Sequence, residues 1–281
     1  MAFFTLIERK VIGLIHYRKG PNKVVVQGLS QPIADAIKLL TKEAIKINFT
    51  KIIIFIAGPT TRILLIILCW GTYNFNFSAN RTAIKVLIIM AIIRLTAYGF
   101  LLTRWGSNSK YALLGGYRAV AQIISYEVCL VLFIITALFC FKTYSIEKLQ
   151  INQQGLWFIC ICAPLFLVWL LLCIAEANRT PFDLAEGESE LVSGFNVEYG
   201  GGLFALVFIR EYGIIIFLRF LTTLLFIGTH LTLLKTFMLC FLFVWTRCAF
   251  PRVRYDILIQ TAWKTALPIS LISLIIITAL I

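Results

Sequence analysis

The sequence has 281 residues, 60% of them hydrophobic and 14% charged, with a mean hydropathy of +0.91, and its apolar runs are longer than a soluble core needs. The runs are continuous rather than alternating, which excludes a soluble enzyme and a β-barrel and predicts an all-α integral membrane protein. A net charge of +13, from 26 basic against 13 acidic residues, has to be placed somewhere in that oily chain, and its placement orients the protein.

Met1 to Ile7 is apolar but far short of the roughly 20 residues a spanning helix needs, and it reads as the end of a first helix. Glu8-Arg9-Lys10 interrupts it, so no cleavable secretory signal is visible; this suits a product made in the compartment that holds the membrane. With Arg18-Lys19-Gly20-Pro21-Asn22-Lys23 it forms a basic, turn-rich entry to a non-spanning segment, residues 8–51. Within that segment Ile33, Ile37, Leu40, Ala44 and Ile47 recur at helical spacing, with Asp35, Lys38, Lys42, Glu43 and Lys46 on the other face. Ser30 is placed to cap this amphipathic helix and Pro32 to sit in its first turn. A lysine-rich amphipathic helix lies at the membrane surface or docks on a partner subunit.

Seven full spans follow: Ile52 to Trp70, Thr82 to Thr103, Ala112 to Phe141, Leu156 to Ala175, Gly201 to Gly228, Leu231 to Phe250 and Ala262 to Ile281. The N-terminal stub makes an eighth, truncated helix, and the whole is read as a single membrane domain, 1–281. Gly58-Pro59 and Pro164 lie within runs and are expected to kink them. Simple alternation puts the loops around residues 8–51, 104–110, 176–199 and 247–264 on one side, with Arg9, Arg18, Lys19, Arg179, Arg252 and most other cations. The opposite loops hold Arg81, Lys85, Lys142, Lys148 and Lys235. By the positive-inside rule the first side is the cytoplasm or the mitochondrial matrix.

Six of the thirteen acidic residues fall in one inner-face loop, Glu176 to Gly202: Glu176, Asp183, Glu186, Glu188, Glu190 and Glu198. Inside the spans lie Arg62, Arg94, Arg118, Arg210 and Arg219, with Glu127 and Glu211. Each ion at mid-membrane depth costs about 2.5–3.5 kcal/mol, so these groups must pair or face a polar interior. For Arg62, Arg94 and Arg219 a static, helix-positioning pair is the favoured reading. Glu127 and Glu211, lone carboxylates close to the acidic loop, are read as protonatable stations, with the reservation that neighbouring Arg210 can bridge Glu211. The eight cysteines sit mostly in apolar runs without Cys-x-x-Cys spacing, Cys160-x-Cys162 is too short for common zinc or iron–sulfur motifs, and His16 and His230 lie far apart. No metal site is therefore expected. No P-loop or Gly-x-Gly-x-x-Gly stretch occurs, and no nucleic-acid partner is expected.

The inner-face segments resemble one family along the chain from about residue 5: membrane subunit 1 of respiratory complex I, the proton-pumping NADH:ubiquinone oxidoreductase. The resemblance is carried in collinear order. It begins with Glu8-Arg9-Lys10, Arg18-Lys19-Gly20-Pro21-Asn22 and Gln31-Pro32-x-Ala34-Asp35-Ala36-x-Lys38. It continues through Ser107-Asn108-Ser109-Lys110-Tyr111-Ala112-Leu113, Arg118-Ala119-Val120-Ala121-Gln122 and Ser125-Tyr126-Glu127-Val128. It ends with the run from Glu176-x-Asn178-Arg179-Thr180-Pro181-Phe182-Asp183 to Gly194-Phe195, and with Phe250-Pro251-Arg252-x-Arg254-Tyr255-Asp256.

The resemblance implies the membrane part of a quinone-binding cavity at the junction with an electron-carrying peripheral arm. The isoprenoid tail is then expected between the first helix, the amphipathic helix and the sixth spanning helix. Arg18, Lys19, Arg179, Phe182, Phe195 and Arg252 become the expected cavity and docking residues. Glu127, Asp183, Glu186, Glu188, Glu190 and Glu211 become the expected proton-coupling carboxylates. A charge change in low dielectric is felt over long distance, which suits such a relay. The chain is expected to bind no cofactor or redox centre by itself, ubiquinone being a substrate shared with partner chains. The implied partners are the peripheral-arm quinone-site and iron–sulfur subunits, adjacent membrane-arm subunits and lipid. A multi-pass location in the mitochondrial inner membrane follows, the bacterial plasma membrane being the alternative.

Two departures from the family pattern stand out. Most of the family's first helix is not found in the pattern, so a separate chain is expected to supply it, or the helix is expected to be lost. The connection from Gly228 to Lys235 is short, and Arg210 and Arg219 stand where apolar or small residues are expected. An ion-coupled transporter would also explain buried charges, but it predicts an internal repeat that the halves do not show. A hydrogenase membrane anchor fits the segments Arg18 to Asn22 and Arg179 to Phe195 less well.

Overall fold

The computed structural model describes residues 1–43, 50–73, 85–155, 157–183, 198–228 and 230–280, and among them it is helical with no strand. In chain order the helices are α1 (Ala2–Ile15), α2 (Gln31–Thr41), α3 (Ile52–Thr72), α4 (Lys85–Ser107), α5 (Lys110–Phe141), α6 (Ile146–Asn152), α7 (Phe158–Ile161) and α8 (Ala163–Glu176). Then come α9 (Gly201–Thr222), which runs on into a π turn at Thr223–Ile227, α10 (Thr232–Ala249), α11 (Tyr255–Thr261), a second π turn at Ala262–Ala266 and α12 (Leu267–Leu280). Six helices are long and apolar enough to span a bilayer: α3, α4, α5, α9 with its π turn, α10, and the composite Tyr255–Ala279.

The fourth expected span is not one continuous helix. The run Leu156 to Ala175 is broken at Cys162 (φ −129°, ψ 55°) into the single turn of α7 and the 14-residue α8. Pro164 explains the break: lacking an N–H, it occupies the first turn of α8, where no donor is lost, so it starts a helix instead of kinking one. Pro59, by contrast, lies inside α3, which continues past it to Thr72.

The N-terminal expectation also changes. Helix α1 runs through Glu8-Arg9-Lys10 to Ile15, and the turn comes only at Tyr17 (φ 54°), where the Arg18 amide donates to Gly13 O at 2.7 Å. Glu8 does not end the helix because its buried carboxylate pairs with Arg247 of α10, which neutralises the charge. Helix α2 begins at Ser30 as expected, with Pro32 in its first turn, but the Ser30 hydroxyl makes no capping bond. Gln31 Nε2 instead donates to Asp35 Oδ1 at 2.9 Å, and Arg9 Nη1 to Asp35 Oδ2 at 2.8 Å, tying α2 to α1. Ile33, Ile37 and Leu40 stay exposed, so the described residues do not cover the apolar stripe. Ala44, Lys46 and Ile47 lie outside the described residues.

In lipid the hydrophobic effect does not hold helices together, so close packing and internal hydrogen bonds must. Helices α3 and α4 supply the tightest contact. A Cβ on Gly58 would lie 2.7 Å from the Thr103 amide nitrogen, and one on Gly106 would lie 2.7 Å from Phe55 Cα. The core between α5, α8, α9 and the C-terminal helices is filled by Phe133, Phe158, Trp169, Phe217 and Phe226. Trp169 Nε1 donates to Thr222 Oγ1 at 3.1 Å, which satisfies the one polar atom of a large buried ring. Both π turns have side chains bonding nearby backbone carbonyls. Gln153 Nε2 reaches Leu225 O and Lys235 Nζ reaches Ile227 O, each at 2.8 Å, while the Tyr126 hydroxyl reaches Leu258 O at 2.7 Å. Helices α1, α2 and α9 pack pairwise, so the first helix, the amphipathic helix and the long helix after the acidic loop come together.

Candidate functional site

The site is built where α8 ends. Its last residue, Glu176, is fully buried, and the chain then passes through Asn178 (φ 50°) and a cis Thr180–Pro181 bond to Phe182. Gln122 of α5 holds this exit, its Nε2 donating to Ala175 O and Phe182 O at 3.0 Å each. The loop arginine Arg179 is thereby turned inward and donates through Nη2 to Glu211 Oε2 at 2.7 Å, while Arg62 of α3 reaches Glu211 Oε1 at 3.9 Å. Two arginines from different elements thus converge on one carboxylate of α9.

Arg210 does not bridge Glu211. Consecutive residues point to different faces of a helix, and Arg210 lies instead with its guanidinium carbon 4.5 Å from the Phe100 ring centroid. Arg62 and Arg104 approach the same ring, at 3.9 and 5.0 Å, so three cations share the face and edge of one buried phenylalanine. Arg104 Nη1 also donates to Gly116 O at 2.9 Å. Both Glu176 oxygens lack a hydrogen-bond partner among the described residues, and the charges that act on this carboxylate are Arg210 and Glu127. Glu127 in turn meets Arg94, Oε1 to Nε at 3.4 Å. Glu127, Glu176 and Glu211 with Arg210, Arg62 and Arg179 therefore form a discontinuous series of buried charges leading from the loop toward the middle of the helices, with Arg94 at its exposed end.

Sequence reasoning put Glu176 in the acidic loop but not among the coupling carboxylates. The available signal was its position: a lone acid closing an apolar run is carried into the interior by its helix. Asp183 is half-buried just beyond Phe182. Glu186, Glu188, Glu190 and Phe195 lie outside the described residues.

The expected cavity residues separate into two groups. Arg179, Phe182 and Arg252 come together: the Val253 amide donates to Pro181 O at 3.0 Å, and Arg247 Nε donates to Thr180 Oγ1 at 3.1 Å while pairing with Glu8 of α1. Arg18 and Lys19 lie exposed on the turn after α1. Phe182 also borders an apolar groove of about 440 Å³ whose walls come from α5, α8, α11, α12 and Val253, with none from α1, α2 or α9. Tyr199 returns the chain from the loop to the bundle. Its ring stacks on Phe55 at 4.2 Å and its hydroxyl donates toward Thr103 O at 2.8 Å and Phe55 O at 3.3 Å. Burial pushes the Tyr199 phenol above its ordinary value, so it stays a neutral donor.

The family model described as NADH dehydrogenase matches residues 1–278. The chain is 46% identical over 275 residues to NADH-ubiquinone oxidoreductase chain 1 of Aedes aegypti, covering 96% of this chain and 88% of that protein. It is 45% identical over 275 residues to the protein of the same name from Branchiostoma lanceolatum, with the same coverage, and 44% identical over 282 residues to that of Trichosurus vulpecula, covering 96% and 89%. A match over nearly the whole of the chain places it: the chain belongs to the NADH dehydrogenase family.

Proposed function

We propose that this protein is the chain 1 membrane subunit of a proton-pumping NADH:ubiquinone oxidoreductase in the mitochondrial inner membrane. In this role it forms the membrane side of the quinone cavity and passes the effect of quinone reduction into the membrane arm. It binds no redox centre; ubiquinone is a substrate at the interface with the peripheral-arm quinone-site and iron–sulfur subunits. Adjacent membrane-arm subunits and lipid are its other neighbours.

The observation that carries the reading is the Arg179–Glu211 bond, which links the loop behind the cavity to a carboxylate within a spanning helix. A guanidinium shared between a loop and a helix has two places to put its charge. When negative charge appears on the cavity side, Arg179 is drawn toward it and Glu211 keeps only the longer contact to Arg62. Glu211 then has to take up a proton or a new partner, since an uncompensated charge at that depth is costly. Arg210, beside it on α9, reports the change to Glu176, and Glu176 to Glu127. Quinone chemistry and carboxylate charge are thus coupled through this chain's own side chains, with no redox group in it.

Glu211→Gln in the assembled enzyme tests this. Electron transfer from NADH to a water-soluble acceptor should be unchanged, while inhibitor-sensitive NADH:quinone activity and proton pumping fall by roughly tenfold or more, on the scale of losing a buried charge interaction. Wild-type pumping per electron in an intact Glu211→Gln complex would end the coupling proposal.

A further inference from the structure

Arg94 is the tenth residue of the 23-residue α4, about 14 Å along the axis from Lys85 and about 20 Å from Ser107. In a hydrocarbon layer about 30 Å thick it lies near the middle. Yet 57% of its side chain is exposed, although Glu127 of α5 meets it at 3.4 Å. The flank around it is outward-facing as well: Leu95 and Tyr98 on α4, Ile124 and Val128 on α5.

A guanidinium has five N–H donors, and one carboxylate at the far side of pairing distance leaves most of them to the surroundings. Lipid cannot take them. Long basic side chains reach the headgroups by snorkelling from near a helix end, and Arg94 starts from mid-depth. The charge balance of the helices points the same way. Helices α3, α4, α5 and α9 carry six arginines, Arg62, Arg94, Arg104, Arg118, Arg210 and Arg219, against Glu127 and Glu211 on the same helices. Of these arginines, Arg94 is the one whose side chain faces outward by more than half.

We propose that the Arg94 flank of α4 and α5 is a subunit interface, covered by a transmembrane helix of another protein that presents an Asp or Glu carboxylate to Arg94 at mid-membrane depth. The guanidinium then lies between two carboxylates, Glu127 inside the chain and one outside it, in the bidentate geometry that suits arginine and not lysine. Leu95, Tyr98, Ile124 and Val128 supply the apolar contact around that pair. The proposal rests on the reading of this chain as one subunit of an assembly.

The test uses the whole assembly in native membranes, with a photo-reactive amino acid in place of Tyr98. Irradiation should give an adduct with a membrane-spanning segment of a different protein, with an Asp or Glu within one helical turn of the adducted residue. Arg94→Glu should lower the amount of assembled complex roughly tenfold, and changing the identified carboxylate to Arg should restore it. Adducts with lipid alone, with a second copy of this chain, or with a segment lacking an acid at that depth would overturn the proposal. So would full assembly of Arg94→Glu, or failure of the charge exchange to restore a complex lost in the single variant. Identifying the other proteins in the purified assembly tests the subunit reading separately: an assembly without NADH-oxidising subunits would sink that reading while leaving the Arg94 contact standing or falling on its adduct.

Discussion

Helix α9 carries two charged sites eight residues apart, about 12 Å along its axis, and they are built in opposite ways. At the loop end Glu211 is held by Arg179 and Arg62, charged groups drawn from a loop and from another helix. Toward the other end Arg219 is equally buried but sits over the Phe243 ring at 4.5 Å, with Cys173 and Cys240 as its electrostatic neighbours and no carboxylate in an ion pair with it among the described residues. A charge that meets mobile opposite charges can change its partner, whereas one packed against an aromatic face and thiols can only be tolerated. The comparison sets a charge held by exchangeable partners, which the proposed function puts to work, against a charge absorbed by packing, on one element and at similar burial.

The largest effect is expected at the first site. Arg179→Met removes one partner of a buried pair and leaves Glu211 with the 3.9 Å contact to Arg62, which should destabilise the assembled protein by about 3–5 kcal/mol. Heat-induced loss of the intact complex measures this; a loss of under about 1 kcal/mol would show that Arg179 is not holding Glu211. Glu176→Gln should leave assembly nearly intact, because no hydrogen bond among the described residues is lost, yet reduce quinone-linked proton pumping severalfold. Unchanged pumping would remove Glu176 from the series and leave Glu211 and Glu127 unconnected. Tyr199→Phe gives up two acceptors on α3 and α4, at a cost of about 1–2 kcal/mol in thermal stability. Its sign with pH is set by the raised phenol: the folded state disfavours the phenolate, so the Tyr199 contribution is full below the free value of about 10 and is lost as pH rises above it. The difference between wild type and Tyr199→Phe should therefore shrink in alkali.

The helical membrane class and the spans, one of them shortened and broken, could be read from run lengths. Those signals are additive along the chain, so no contact has to be known. The pairing of ions could not be read in the same way. Glu211 sits next to Arg210 in sequence, and only the 100° turn between successive helical residues shows why its partners come from positions 62 and 179 instead. The N-terminal helix was read as ending at Glu8 because a charged triplet after apolar residues resembles a membrane boundary. Arg247, more than 200 positions away, cancels that signal. Pro164 was read as a kink because it lay in the middle of an apolar run, the ninth of twenty residues, whereas it sits in the first turn of a helix that begins there. Glu176 was legible as an acid in a loop but not as a buried one, since its burial comes from α5 and α9 packing around the end of α8.

The smallest effect, and the sharpest use of the comparison, is expected at Arg219. Replacing it with Met removes the cost of a desolvated charge while keeping much of the volume and the contact with Phe243. Swaps of buried charged groups for apolar ones of similar volume are often neutral or stabilising by about 1–4 kcal/mol. Arg219→Met should therefore leave quinone-linked activity at the wild-type level and leave the heat stability of the complex equal or higher. The result decides between two physical accounts of one residue. If Arg219→Met instead lowers pumping as Glu211→Gln does, then Arg219 holds an anionic partner supplied by another chain, and both ends of α9 take part in charge transfer. If it lowers stability alone, the ring of Phe243 contributes more to this guanidinium than the bilayer takes away, and cation–π contact at that depth exceeds its usual 2 kcal/mol or so. Neutral behaviour would confine the working charge of α9 to Glu211 and Arg210, on the side of Arg179 and the loop after α8.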